Sequence, residues 1–467
     1  MSHILVLDQG THASRAIVFS ADGNIIEQAK QTVSLQQISH QKIEQDPHEL
    51  LNSLIDCINR LNKNTVKNIA RCCLTTQRST TVAWNSNSGK ALSPAISWQD
   101  RRSDEDLKQF IHKQTFIKNI TGLPLSAHYG SGKIRWIISH NTAVKKSLEE
   151  NTCLIGPLVS FLLFNLLKNR PYLVDHSNAH RSLLFDLKTL NWSEDLLSLF
   201  NIPEKILPQC KPIAFNYGKL IANNIPVVSV CGDQSAAFFS RGKVDADTGL
   251  INIGTGAFIL APCKNIITQS PLLCGIAYSN TDSQIYLLEG TVNGAGAALS
   301  WGQKKYPVDN LFDHLAEWLE QVTAPPVFIN TVGGLGSPWW RSSVSAYFLT
   351  DEHLELADRY VAIIESIVFL IQHNLHHMQK FIPLKQLKVG GGLSQLNGLC
   401  QKIADLSQLS VERITETEAT ARGAAWLAAD CPESWNENKP GKRFTPQSNS
   451  GLKQRFKQFT NELNRLK

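Results

Sequence analysis

A short apolar run that closes on a Gly/Thr turn and is followed by a second apolar run occurs twice in this 467-residue chain, and it limits the fold more than any other feature. The first copy is Leu7-Asp8-Gln9-Gly10-Thr11, entered through residues 4–7 and left through residues 16–19. The second is Ile253-Gly254-Thr255-Gly256-Ala257, entered through residues 250–253 and left through residues 258–260. Apolar runs of this length between turn residues read as buried strands. Repetition of the unit in opposite halves predicts two domains of the same build, and at roughly 100–200 residues per domain the chain is too long for one core. The boundary falls near residues 242–247, giving an N-terminal domain over 1–244 and a C-terminal domain over 245–467.

Both halves read as α/β. After Asp22-Gly23-Asn24 a third strand begins at Ile25, residues 50–61 carry a helical apolar repeat, and residues 69–75, 82–84 and 95–98 read as strands. Residues 227–230 form a strand pattern leading into Gly232-Asp233-Gln234 and a helix through Ala236, Ala237 and Phe238. Residues 387–389 precede Gly390-Gly391-Gly392; residues 397–406 read as a helix, and residues 417–429 as an alanine-rich helix closing the second domain. In the tail, Leu452, Phe456, Phe459, Leu463 and Leu466 recur at helical spacing among Lys and Arg. Docking on its own domain is the ordinary reading of such a helix, and membrane or partner binding the other.

Hydrophobic residues at 42% and charged ones at 18% fit a soluble globular enzyme and leave no tract for bulk disorder. The net charge of +6 is scattered, which gives no nucleic-acid footprint. Ten cysteines, Cys72 and Cys73 adjacent among them, contain no CxxC pair and no Cys/His zinc spacing, so reduced, mostly buried thiols are expected. Met1-Ser2-His3 leads into the first strand without signal-peptide features, and the longest apolar stretch, residues 153–167, is shorter than a membrane span. A cytoplasmic protein without nucleic-acid or membrane partners is expected, with homo-oligomerisation left open.

Gly/Thr turns expose backbone N–H groups to an anion. Each turn alone also reads as a plain hairpin, but one from each domain would hold a polyphosphate from two sides. Around them stand Thr76-Gln77-Arg78, Ser97-Trp98-Gln99, Ser177-Asn178-Ala179, Gly232-Asp233-Gln234-Ser235-Ala236-Ala237, Leu288-Glu289-Gly290, Gly334-Leu335-Gly336-Ser337-Pro338, Gly391-Gly392 and Gly423-Ala424-Ala425. In order and spacing, over about residues 4–430, the set resembles the FGGY carbohydrate kinases, with glycerol kinase the nearest branch.

That resemblance implies an α/β fold of two actin-like, ribonuclease-H-like ATPase domains with an interdomain cleft. It also implies ATP with Mg²⁺ as cofactors and a small polyol or sugar as substrate. It carries the family's nucleotide contacts to Thr11, His12, Ala13, Thr255, Gly296 and Gly392, and an arginine near the transferred phosphoryl to Arg15. Asp8 becomes the metal carboxylate and Asp233 the general base. Substrate contacts fall on Arg78, Ser79, Trp98, His128, Asp233, Gln234 and Phe258. Taken alone, Asp8 reads also as a turn cap, Asp233 as a helix cap, and Trp98 and Phe258 as core. A carboxylate at a helix start can accept the proton of an attacking hydroxyl. Because phosphoryl transfer has a loose transition state, positioning and charge do most of the catalysis.

The chain departs from glycerol kinase at several of these positions. Ser79 stands where a glutamate follows the substrate arginine, and His128, with Tyr129 beside it, replaces a tyrosine. His12-Ala13 replaces small hydroxyl residues, Leu396 an asparagine, Ser300 a glutamine and Arg341 an aspartate, and residues 220–226 lack the fructose-bisphosphate loop. Glycerol remains the best single substrate, with a longer polyol or a ketose next, and exclusive glycerol specificity is not expected. The alternative from another class is a non-enzymatic nucleotide-binding protein of the same fold. Asp8, Arg78 and Asp233 favour the enzyme; His12, Ala13 and Leu396 weigh mildly against it.

Overall fold

The computed structural model describes residues 2–341, 345–350, 353–414, 418–436 and 441–466. Its first sheet is built from β1 (His3–Gln9), β2 (Ala13–Phe19), β3 (Ile25–Thr32), β4 (Ile69–Thr76), β5 (Ala214–Lys219) and β6 (Pro226–Gly232), in the order β5-β6-β4-β1-β2-β3. Its second uses β7 (Thr248–Ile253), β8 (Ala257–Cys263), β9 (Leu273–Ser279), β10 (Gln284–Val292), β11 (Gln386–Gly390), β12 (Ser410–Arg413) and β13 (Arg443–Phe444), in the order β9-β10-β8-β7-β11-β12-β13. In each sheet a central strand, β1 or β7, has two successive antiparallel neighbours on one side and two parallel ones on the other. The repeat in the sequence is thus a repeat of sheet topology.

The helices that matter below are α1 (Pro47–Arg60), α2 (Gly130–His140), α3 (Asp233–Phe238), α4 (Gly296–Lys305), α5 (Leu356–Gln379), α6 (Ala419–Ala428) and α7 (Ser450–Arg465). Alternate residues of a strand point to opposite faces. On β1, Leu5 and Leu7 share a core with Leu50, Leu54 and Cys57 of α1, while Ile4 and Val6 share another with Ala421, Ala424 and Ala425 of α6. Both faces are covered, so the strand is apolar throughout. Asp46 caps α1 by accepting from the His48 N–H at 2.8 Å, and Pro47 occupies the first turn, where no donor is needed.

The alanine-rich helix differs from expectation. It begins at Ala419, Thr417 lying outside the described residues, and instead of closing the second domain it lies on β1, β4 and β6 of the first sheet and against α3. Its small side chains permit this close approach to the other half. The tail helix α7 docks in its own half: Leu452, Phe459 and Leu463 are buried, and Phe456 and Phe459 lie 5.6 and 5.3 Å from Phe369 of α5.

Under that contact, Arg455 donates to the buried Glu365 at 2.6 and 2.7 Å, and Lys402 donates to it at 2.9 Å. Among the described residues, Arg455→Met leaves Glu365 with Lys402 as its remaining charged partner. It is expected to cost about 2 kcal/mol, since hydrogen bonds to charged groups are worth more than neutral ones and a buried charge is expensive to unpair. Urea unfolding checks this; an unchanged midpoint would remove the network from the stability of the tail. All ten cysteines are free thiols and most are buried.

Candidate active site

The parallel strands β1, β4 and β6 end in register: Gln9 is opposite Thr76, and Thr76 opposite Gly232. The next residues, Gly10-Thr11, Gln77-Arg78-Ser79 and Asp233-Gln234, therefore leave the sheet side by side. Carboxyl ends of parallel strands are where open α/β sheets place ligands. The second sheet repeats the arrangement, with Asn252 opposite Gly390, so that Gly254-Thr255 and Gly391-Gly392 emerge together.

Each Gly/Thr turn is closed by its own backbone: the Gly10 N–H donates to the Ala13 carbonyl at 2.9 Å, and the Gly254 N–H to the Gly256 carbonyl at 2.8 Å. Thr255 is exposed, and its carbonyl accepts from the Ala295 and Ala297 N–H groups while that of Gly254 accepts from Gly296 at the start of α4. Nothing lies within 4 Å of where a side chain at Gly392 would project. Thr255, Gly296 and Gly392 thus line one open edge. In the first turn His12 is exposed, Ala13 opens β2, and the Thr11 hydroxyl accepts from the Trp98 indole at 3.0 Å. No hydrogen bond joins the two turns among the described residues.

Asp8 is buried and paired with Arg15, which donates to its Oδ2 from Nη2 at 2.5 Å and from Nε at 3.1 Å. The other side of the Arg15 guanidinium pairs with Glu418, just before α6. Burial lifts the Asp8 carboxyl above its ordinary range, Arg15 opposes the shift, and the nearby Asp233 charge adds to it. Asp8 and Asp233 are therefore electrostatic neighbours.

Asp233 opens α3, accepts from the Gln234 N–H at 2.7 Å, and lies 3.5 Å from Arg78 Nε. Its side chain is 32% exposed. Desolvation still raises its carboxyl, with Arg78 opposing. Arg78 passes so close to Gly232 that a side chain there would sit 2.5 Å from its Cδ and Cγ. Glycine at 232 is thus what lets the guanidinium reach Asp233. The Gly232 N–H is fixed by the Ser177 hydroxyl at 2.8 Å, which donates in turn to Asp175.

Three charged residues that sequence reasoning did not assign complete the floor. Arg181 donates to Glu289 at 2.5 Å, and Glu289 lies 4.0 Å from Arg78, so a carboxylate on β10 of the second sheet binds two arginines of the first half. Burial alone would raise Glu289, but Arg181 and Arg78 outweigh it and hold the carboxyl below its usual range. Lys133 of α2 is fully buried and donates to the Ser79 and His128 carbonyls at 3.1 and 2.5 Å. Burial pushes its ammonium down to about 7. Motif neighbours were the only signal available: Glu289 sits within Leu288-Glu289-Gly290, and Arg181 two residues after Ala179.

Ser79 is buried with φ 65°, and its hydroxyl has no hydrogen-bond partner among the described residues. The His128 ring packs edge-on to Trp98 at 5.7 Å and to Tyr129 at 5.1 Å. Burial and the charges of Lys133, Arg181, Arg78 and Arg101 hold the imidazole neutral, well below its normal pKa. Phe258 lies on β8 of the second sheet, opposite Asn252 and Thr291. Leu396 is buried, Ser300 is exposed, and Arg341 pairs with the Leu466 carbonyl.

Two ribonuclease-H-like sheets of one topology, each ending in a Gly/Thr turn, with a carboxylate beside an arginine at the first, define the actin-like class of nucleotide-dependent phosphotransferases. The chain belongs to the FGGY family of carbohydrate kinases: the model of its N-terminal domain matches residues 3–240 and that of its C-terminal domain residues 249–430. It is an enzyme that transfers a phosphoryl group from ATP to a hydroxyl of a sugar or polyol. Among similar proteins, the glycerol kinase of Borreliella afzelii (strain PKo) is 35% identical over 463 residues, covering 93% of this chain and 90% of that protein. The crystal structure of Plasmodium falciparum glycerol kinase with ADP superposes with a TM-score of 0.91 at 25% identity, covering 100% of this chain and 97% of that one. A xylulose kinase from Rhodospirillum rubrum shares the fold at TM-score 0.89 and 18% identity, with 99% of each chain covered.

Proposed function

We propose that Asp233 is the general base of this kinase, that Arg78 and Gln234 hold the acceptor beside it, and that Trp98 and His128 wall the acceptor's carbon chain. The observation that carries this reading is the register of β1, β4 and β6, which delivers Asp8, Arg78 and Asp233 to one edge. The nucleotide phosphates lie between the first turn, Thr11 to Ala13 with Arg15, and the second, formed by Thr255, Gly296 and Gly392. The acceptor is a small polyol or sugar, not exclusively glycerol, because Ser79 and His128 replace two of glycerol kinase's polar contacts.

Magnesium fits the site only as a nucleotide-borne ion. Among the described residues no cluster of three or more His, Cys, Asp or Glu side chains could hold a metal. Asp8 Oδ1, however, accepts no hydrogen bond among the described residues, and Mg²⁺ characteristically takes one or two carboxylates, several waters and the phosphates themselves. Asp8 would hold it, directly or through water, and the ion would supply charge neutralisation to the phosphates. No helix among the described residues is long and apolar enough to cross a membrane. We read the protein as cytoplasmic, without a nucleic-acid or membrane partner.

Residues 1–244 and 245–467 act as two domains that close on ligands, since the phosphate turns belong to different halves and neither surrounds the γ-phosphate alone. Small-angle scattering is expected to show a smaller radius of gyration when nucleotide and acceptor are both bound. Unchanged dimensions at saturation would count against closure.

A further inference from the structure

Three buried glutamines fasten the first Gly/Thr turn from behind, each from a different segment. Gln9 ends β1, Gln77 follows β4, and Gln45 ends the short strand Ile43–Gln45, one residue before the Asp46 cap of α1. The Gln9 amide donates to the Gly10 carbonyl at 2.7 Å, and the Gln45 amide donates to the Thr11 and Ser34 carbonyls at 2.9 and 3.0 Å. A carbonyl only accepts, so both of these amide nitrogens face backbone and their oxygens turn toward Gln77. Gln77 meets those oxygens with its own nitrogen, at 3.1 Å to Gln9 and 2.8 Å to Gln45, and its oxygen accepts from the Thr80 hydroxyl at 3.0 Å. The orientation of every amide follows. Thr80 in turn accepts from the Trp98 N–H at 3.1 Å, and the Trp98 indole returns to the Thr11 hydroxyl, which closes the network on the turn where it began.

In a trans peptide a carbonyl and the N–H that follows it point in opposite directions. Holding the Gly10 and Thr11 carbonyls on the glutamine side therefore aims the Thr11 and His12 N–H groups away from the buried amides. Among the described residues neither N–H makes a backbone hydrogen bond. Successive N–H groups presented in this way suit an anion. Buried amides are costly unless every bond is made, so a network spent on the carbonyls of one turn fixes that turn more firmly than apolar packing would. We propose that Gln45 is a positioning residue of this kinase: by holding the Thr11 carbonyl it keeps the His12 N–H aimed at the phosphates of the nucleotide. It acts through the turn and touches no reacting atom. This rests on the reading of the turn given above and adds the residue that sets its direction. Gln45 lies 34 positions from Thr11, so no local motif joins the two.

The test is calorimetric binding of Mg-AMPPNP and of adenosine to wild type and to Gln45→Met, which keeps the length of the side chain and removes its amide. AMPPNP brings phosphates to the turn, and adenosine has none to bring. Gln45→Met is expected to weaken Mg-AMPPNP by about 10-fold, the scale of a lost hydrogen bond to a charged group, and to leave adenosine within about twofold of wild type. Equal weakening of the two ligands marks a merely structural residue and overturns the proposal, as does unchanged binding of both. Mg-AMPPNP that binds the wild type no more tightly than adenosine contradicts the reading of the turn itself, and the proposal with it. Should Gln45→Met not fold, the side-chain amide of Gln45 in the wild type decides the matter. Its NMR signal is expected to shift with Mg-AMPPNP and to stay in place with adenosine; a signal that responds to neither, or alike to both, is the contrary result.

Discussion

Asp233→Asn and Asp233→Ala are each expected to lower turnover by roughly 10²-fold or more, the scale set by loss of a positioned general base, while ATP binding stays near wild type. Neither change disturbs the core, because Asp233 stands at the open start of α3 with its side chain 32% exposed. The pH profile distinguishes a base from a mere binding group. Desolvation raises the Asp233 carboxyl above its ordinary value, so kcat/KM of the wild type should fall as pH drops through a point above that of a free aspartate. Above that point the carboxylate is free to take the proton, and below it the site is already protonated. The residual activity of Asp233→Asn should lack this acid limb. Near-wild-type turnover in either variant would remove Asp233 from the mechanism.

Gly423→Ala is expected to destabilise the fold by about 3 kcal/mol, the upper end for an overpacked site, and to reduce activity with it. An added Cβ would lie 1.8 Å from the Ala236 carbonyl oxygen and 3.1 Å from the Phe239 carbonyl carbon, both of them backbone. No side-chain rotation relieves such a clash; α6 and α3 would have to separate, and Asp233 heads α3. Replacing Gly by Ala inside a helix otherwise gains about 1 kcal/mol, so the sign of the measured change reports which effect wins. Urea unfolding followed alongside activity checks it. A variant as stable as wild type would show that the α3–α6 contact yields easily.

The strands bearing the site were legible because apolar runs end abruptly at Asp, Gly, Asn and Thr, and β1, β2, β4, β6, β7, β8 and β11 lie within a few residues of the expected positions. Other elements carried no comparable signal. Helix α5 spans Leu356–Gln379, but residues 360–371 are buried almost without a break, so no polar face marks a helical period. Helix α6 was legible as a helix and not as a neighbour of β1, since Ala and Gly suit close packing on either sheet. At the site, Asp8, Arg78 and Asp233 were found through their motifs. Arg181 and Glu289 were not, because their ion pair joins residues 108 positions apart on elements of different halves. Such a pair has no local spacing to detect.

That Asp233, Arg78 and the two Gly/Thr turns form one phosphoryl-transfer site is tested most directly by ADP release from Mg-ATP with and without acceptors. The acceptors are glycerol, four- and five-carbon polyols and ketoses, with the products analysed by mass spectrometry. The expected result is ADP formation that depends on at least one of these acceptors, with one phosphorylated acceptor per ADP, and its loss in Asp233→Asn. ATP that binds but is consumed with none of them would instead mark a nucleotide-binding protein on a kinase fold.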